Sequence, residues 1–189
     1  MITVVSGLPR SGTSMMMMML DAGGMNVFTD GVRKADRFNR QGYWEHEAVK
    51  RLINDNSWLK EAENKVIKVV APLVLHLPNR FDYKVIFVER NLREIIRSQQ
   101  MVRAKSRSAS KAPYPVALEM AFKNYLKQVD AWIKSNSNVK LLRISYNKTL
   151  ENPIDTAYEV AEFLYRPLDL DAMVDKVMPR LQRVKQKTC

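Results

Sequence analysis

The sequence predicts an α/β fold of three layers, in which a central parallel sheet is flanked by helices. Short runs of β-branched and apolar residues are typical of buried parallel strands, and they occur at residues 2–6, 84–88 and 139–144, with a fourth at 66–70. Helical patterns lie between them, at residues 14–22, 47–56, 92–104, 116–134 and 153–165. Strands that alternate with helices indicate a parallel sheet with right-handed crossovers.

Length and composition predict one cytoplasmic domain, residues 1–189. A chain of 189 residues with 46% apolar content is ordinary for a single core. Its one cysteine is Cys189, so neither a disulfide framework nor a thiolate metal cluster can form within the chain, which favours a reducing compartment. The apolar run at residues 15–20 is far too short to cross a bilayer. Its five methionines predict buried helix packing instead.

The formal net charge of +11 favours an anionic partner: nucleic acid, an anionic membrane or a small polyanionic ligand. A basic segment at residues 103–115 predicts either a lid over such a ligand or a solvated loop. A nucleic-acid-binding module stays an alternative, although aromatic residues are not interleaved with the basic runs as a stacking surface would require.

The clearest motif is the loop Gly7-Leu-Pro-Arg-Ser-Gly-Thr-Ser14, which joins the first strand to the first helix. This order aims unpaired backbone N–H groups and the positive end of the helix dipole at an anion. Gly7 and Gly12 let the backbone curl around a phosphate, while Arg10 adds a cation and Thr13 and Ser14 add hydroxyls. The alternative is a glycine-containing turn without a ligand.

The loop differs from that of nucleotide triphosphatases, which carry a lysine where this chain has Thr13. A small P-loop kinase is therefore the main alternative enzyme. Such a kinase would use Glu89, at the end of the third predicted strand, as a carboxylate that organises magnesium.

Because its cation is at Arg10, the loop resembles a different class of phosphate-binding loop. The run Pro9-Arg10-Ser11-Gly12-Thr13-Ser14 resembles the donor-binding loop of sulfotransferases that use 3′-phosphoadenosine 5′-phosphosulfate (PAPS), and with its methionine continuation it looks most like the bacterial and protein-tyrosine branches. The resemblance implies a P-loop-containing fold and an enzyme that transfers a sulfonyl group from PAPS to a hydroxyl or amine. It implies that these six residues bind the donor, that PAP is the product and that no metal is required.

A second stretch carries the same resemblance. Arg90 and Ser98 keep the spacing of the arginine and serine that bind the 3′-phosphate of PAPS in the family, although the residues after Arg90 depart from the family's Asp-Pro. An arginine at the carboxyl end of a strand and a serine on the next helix converge on the crevice where α/β ligands bind. The alternative for Arg90 is an ion pair with Glu89 or Glu94.

A third stretch, Asn39-Arg-Gln-Gly-Tyr-Trp-Glu45, resembles a segment of bacterial sulfotransferases and implies that Glu45 is the general base. The alternative is a carboxylate that stabilises a helix N-terminus. Histidine titrates near neutrality, so His46 is the second candidate base. Lys68 lies in an apolar strand, where a lysine is costly unless it meets an anion or emerges at the edge. Related sequences imply that it contacts the sulfonyl group.

The acceptor and the oligomeric state are not predicted. Sugar, lipid, peptide tyrosine and small metabolite all stay open as acceptors beside the nucleotide donor, and no membrane partner is expected. The basic tail at residues 180–187 resembles C-terminal segments that close over nucleotide phosphates in relatives, with a frayed solvated tail as the alternative.

Overall fold

The computed structural model describes residues 1–32, 42–106 and 115–177. The strands are β1 (Ile2–Ser6), β2 (Val66–Lys68), β3 (Tyr83–Glu89) and β4 (Val139–Ser145). The α-helices are α1 (Thr13–Ala22), α2 (Leu92–Ser106), α3 (Val116–Ser135), α4 (Tyr146–Glu151), α5 (Pro153–Leu164) and α6 (Leu170–Val174). Three 3₁₀ helices lie between α1 and β3, at Glu47–Arg51, Ser57–Lys60 and Leu73–His76.

The strands form one parallel sheet in the order β2-β1-β3-β4. Successive residues of a strand face opposite sides of the sheet: Val4 belongs to the core beneath α2 and α3, whereas Val5 belongs to the core beneath α1 and α5. Both faces are therefore covered by helices. The predicted α/β fold with a central parallel sheet is confirmed.

The order of the strands in the sheet determines where the site lies. The connection from β1 leads to β2 on one side, whereas the connection from β3 leads to β4 on the other. Since parallel crossovers are right-handed, helices α1 and α2 leave on opposite faces of the sheet. The two loops that follow β1 and β3 therefore diverge at the carboxyl ends of these strands. This divergence opens the crevice in which ligands of such sheets bind.

The methionine run of α1 is buried, as predicted. Residues 15–19 are all less than 5% exposed and pack with β1, β3 and α5. Methionine suits this helix because it combines good helix propensity with a flexible side chain that fills irregular space.

The predicted α-helix at residues 47–56 was wrong. The chain forms a 3₁₀ helix over Glu47–Arg51, with Val49 N–H bonded to the carbonyl of His46 and Leu52 N–H to that of Val49. The physical reason lies in the following Asn54-Asp55-Asn56, since such side chains compete for backbone groups. Asp55 does so by accepting the N–H of Ser57.

The short helices α4 and α6 were not predicted. Each begins at a side-chain cap: Ser145 accepts the N–H of Lys148, and Asp169 accepts the N–H of Ala172. Helices of five or six residues show too little periodicity to be recognised from sequence.

Parts of the predicted irregular and basic segments lie outside the described residues, namely 33–41, 107–114 and 178–189. The predicted lid over 103–115 and the closing tail at 180–187 fall mainly there, except that residues 103–106 continue α2. In the described part of the chain, no helix is long and apolar enough to span a membrane.

The packing of α1 generates a stability prediction. Met17→Ala removes a fully buried side chain and is expected to lower the free energy of unfolding by about 2 to 5 kcal/mol. Met120→Ala, at a helical site that is 60% exposed, is the control and is expected to cost less than about 0.5 kcal/mol. Urea denaturation measures both; equal losses would contradict the assignment of α1 to the core.

Candidate active site

The loop between β1 and α1 is held in an unusual backbone conformation. Gly7, Arg10 and Gly12 have φ values of 150°, 80° and 112°, a region that favours glycine. A Cβ atom at Gly7 would lie 2.5 Å from the carbonyl oxygen of Val88, so only glycine fits there. Gly12 is the N-cap of α1, and the first N–H groups of a helix have no partner within it. The loop therefore presents donors and a positive dipole end to an anion.

Three hydrogen bonds tie this loop to the end of β3 and to α2. Arg90 Nη1 donates to the carbonyl of Arg10 at 3.3 Å, and Arg10 Nε donates to Ser98 Oγ at 3.2 Å. Gln99 Nε2 donates to the carbonyl of Pro9 at 3.1 Å. Arg10, Arg90 and Ser98, which are far apart in sequence, therefore lie together.

The side chain of Arg90 is buried and is hydrogen-bonded at Nε and Nη1. Its Nε donates to Glu94 Oε2 at 2.8 Å, with side chains that are 6% and 5% exposed, and its guanidinium lies 4.5 Å from the centroid of the Tyr146 ring. Nη2 has no hydrogen-bond partner among the described residues. The ion pair with Glu94 foreseen as an alternative is thus present, and it leaves the Nη2 group of Arg90 for a ligand.

Tyr146 belongs to the site, although no role was predicted for it from the sequence. It is the first residue of α4, it is buried, and a Cβ atom at Gly12 would lie 2.3 Å from its ring atom Cδ2. It follows directly after β4, so it shares the carboxyl edge of the sheet with the loop and with Arg90. That position was the feature of the sequence that could have indicated it.

Lys68 and Glu45 form a second polar cluster. Lys68 Nζ donates to the carbonyl of Tyr43 at 2.8 Å, to Glu45 Oε1 at 3.1 Å and to Ser14 Oγ at 3.2 Å. The side chains of Lys68 and Glu45 are 4% and 21% exposed. The lysine in the apolar strand therefore meets an anion, and its ammonium links the end of β2 to the start of α1.

His46 caps the 3₁₀ helix Glu47–Arg51. Its Nδ1 accepts the N–H of Ala48 at 3.2 Å, and its ring stacks on Phe28 at 4.2 Å. The carboxylate of Asp30 lies 3.7 Å from Nδ1. Burial works to raise the pKa of Asp30, but hydrogen bonds from the backbone of Glu47 and Val32 and the nearby His46 together hold that pKa below its ordinary value.

One cavity of about 390 Å³ collects these groups. Every site residue predicted from the sequence lines it except Ser11. Four cationic side chains and a helix N-terminus suit a polyanion, while Glu45 is a carboxylate at the same cavity. Part of the wall is apolar, including Met15 and Met18, which the sequence assigned to packing alone.

Ser11 lies on the other side of the loop. It is fully buried, its hydroxyl has no partner among the described residues, and it lines a second cavity of about 360 Å³ together with Arg90 and Asn147. The side-chain carbonyl of Asn147 is likewise without a partner there. Buried polar atoms around such a space are typical positions for ordered water.

The carboxylate expected of a kinase is not at the main cavity. Glu89 does not line it and is paired with Arg143, which also binds Asp130. These contacts join β3, β4 and α3 and indicate a structural role for Glu89.

The contact between Gly12 and Tyr146 generates a prediction. Gly12→Ala is expected to destabilise the protein more than Gly24→Ala, because both sites have positive φ but only Gly12 has a ring within 4 Å of an added Cβ atom. We expect a difference of more than about 1 kcal/mol, the cost of overpacking, in urea denaturation. Equal losses would show that the Tyr146 ring moves away freely.

Comparison with known proteins gives one family. The family model described as the sulfotransferase domain matches residues 2–188. A comparison with curated proteins found no match.

Proposed function

We propose a role for each group at the cavity, from the premise that this chain belongs to the sulfotransferase domain family. The chain is a PAPS-dependent sulfotransferase, which transfers a sulfonyl group from PAPS to an acceptor and releases PAP. One observation supports the roles that we propose for individual residues. The phosphate loop, the Arg90–Ser98 region and the Lys68–Glu45 pair border the same cavity.

The donor would bind across the carboxyl ends of β1 and β3. The N-terminal N–H groups of α1, Arg10 and the hydroxyls of Thr13 and Ser14 would hold the 5′-phosphosulfate. Arg90 and Ser98 would hold the 3′-phosphate. The buried Nη2 of Arg90 supports this role, because it is a charged donor without a partner among the described residues, and such a group is costly unless a ligand or an ordered water satisfies it.

Transfer requires that the acceptor oxygen or nitrogen attack sulfur while the bond from sulfur to the 5′-phosphate oxygen breaks. Negative charge then builds on the departing phosphate. The loop N–H groups, Arg10 and Lys68 would stabilise that charge, and one well-placed donor of this kind lowers a barrier by about 3 to 4 kcal/mol. We propose that no metal is needed, because these cations supply the stabilisation that a metal would give.

Glu45 is the proposed general base and would take the acceptor proton. His46 is less suited, because its Nδ1 already accepts the N–H of Ala48. A neutral imidazole that accepts at Nδ1 carries its hydrogen on Nε2, so neither nitrogen is then open to a proton. A carboxylate base accords with the segment of bacterial sulfotransferases that residues 39–45 resemble. We assign the chain to the bacterial and protein-tyrosine branches, with residues 1–189 acting as one domain.

Turnover with PAPS tests the proposed chemistry. The wild type is incubated with PAPS and four acceptors: N-acetylglucosamine, a long-chain alcohol, a tyrosine peptide and 4-nitrophenol. Sulfonated product and PAP are expected to appear in equal amounts with at least one of them, and excess chelator is expected to leave the rate unchanged. ATP turnover that requires magnesium, without any transfer from PAPS, would contradict the assignment.

With an active acceptor, Glu45→Gln is expected to lower kcat by about 10² to 10⁴, the usual contribution of a general base, and to leave the Kd of PAP nearly unchanged. Glu47→Gln is the control, since Glu47 is exposed and paired with Lys50. If Glu45→Gln keeps the wild-type kcat while His46→Asn loses it, His46 is the base instead.

A further inference from the structure

We infer that Glu94 is a positioning residue for donor recognition: it orients the guanidinium of Arg90 so that one donor faces the 3′-phosphate. Glu94 thereby sets the preference of the enzyme for nucleotides that carry a 3′-phosphate. This inference rests on the proposed role of Arg90, and its test separates the two.

The guanidinium is fixed at three points. Glu94 Oε2 accepts from Nε at 2.8 Å, the carbonyl of Arg10 accepts from Nη1 at 3.3 Å, and the Tyr146 ring covers one face at 4.5 Å. Because a guanidinium is planar, two hydrogen bonds and a stacked face determine where its remaining donors point. The Nη2 group has no hydrogen-bond partner among the described residues. The direction in which its N–H groups point is therefore fixed.

Glu94 is itself held in place. It lies in the first turn of α2, where the helix dipole stabilises a carboxylate. Its second oxygen, Oε1, lies 3.5 Å from Asn147 Nδ2 in α4, at the outer limit of a hydrogen bond. The carboxylate is 5% exposed, so packing as well as hydrogen bonding restricts its rotamers.

A carboxylate beside a phosphate-binding arginine has two opposite effects. It offsets part of the positive charge, which weakens attraction to the phosphate. It also prevents the guanidinium from turning its free donor to other acceptors. We expect the effect on orientation to outweigh the effect on charge, because the Arg90 side chain is buried. A side chain that is 6% exposed has little room in which to adapt to a ligand. A buried ion pair is also a weak source of net stability, so stability alone gives little reason for this one.

The orientation of the Arg90 side chain also affects the phosphate loop. The Arg90 side chain that Glu94 holds is the one that donates to the carbonyl of Arg10, a residue with φ of 80°. Loss of Glu94 would therefore loosen the loop as well as the 3′-phosphate contact. The loss is expected to be greater for binding of the 3′-phosphate, since the loop keeps the bond that Arg10 donates to Ser98 and the bond that Gln99 donates to Pro9.

The test is calorimetric titration with PAP and with AMP, which lacks the 3′-phosphate. The ratio of the two Kd values measures the preference for the 3′-phosphate. Arg90→Ala is expected to lower this preference at least about tenfold, the size of one hydrogen bond to a charged group, and Glu94→Ala is expected to lower it by about fivefold to tenfold. Glu94→Gln, whose amide oxygen can still accept from Nε, is expected to keep it within about threefold of wild type.

Glu119→Ala on α3 is the matched control. Glu119 also forms an i,i+4 ion pair, with Lys123, but does not line the main cavity. Its removal is expected to leave both Kd values unchanged. In the Arg90→Ala background, Glu94→Ala is expected to have no further effect on the preference, because Glu94 acts through Arg90.

Three results would decide against the inference or its premise. If Arg90→Ala lowers the preference but Glu94→Ala leaves it unchanged or raises it, Glu94 only compensates charge. If Glu94→Ala does not fold, Glu94→Gln decides instead. A Glu94→Gln variant that binds PAP more tightly than wild type, with the Kd of AMP unchanged, would also show that Glu94 only compensates charge. If Arg90→Ala leaves the preference intact, the proposed role of Arg90 fails, whatever Glu94 does.

Discussion

The contact between Arg90 and the carbonyl of Arg10 is the constraint on which the site depends. It joins the loop after β1 to the end of β3, the two points at which the chain leaves the sheet in opposite directions. The loop would otherwise be free to relax from the positive φ values of Arg10 and Gly12, which are costly for a residue with a side chain. The buried pair with Glu94 and the ring of Tyr146 keep the arginine in place.

Charge compensation organises the other half of the cavity. Lys68 lies at the end of a buried strand, where an ammonium without partners would cost several kcal/mol. Its contacts with Glu45, Ser14 and the carbonyl of Tyr43 offset that cost. The same contacts bring a carboxylate and a cation to one wall of the cavity. An ion pair that offsets the cost of burial therefore also supplies the two groups to which we assign roles in sulfonyl transfer.

Much of this architecture was predictable because its causes are local. The strands follow from apolar runs, and the phosphate loop follows from two glycines between a strand and a helix. The pair of Arg90 with Glu94 was foreseen as an alternative, since four residues separate the two on the sequence. The bond of Arg10 to Ser98 was not predictable, because it depends on side-chain directions in three dimensions. The helix expected after His46 became a 3₁₀ helix, since a cap and a run of Asn and Asp outweighed apolar spacing. The position of Tyr146 directly after a strand could be seen in the sequence, but its contacts with Gly12 and Arg90 depend on β4 lying beside β3.

The proposed donor site recognises a nucleotide with a 3′-phosphate through arginine and backbone donors. The most direct test is titration of the wild-type protein with PAP, AMP and ATP, with and without magnesium. We expect PAP to bind more tightly than either other nucleotide, and we expect magnesium to leave the Kd of PAP unchanged. Tighter binding of ATP with magnesium than of PAP would contradict this expectation.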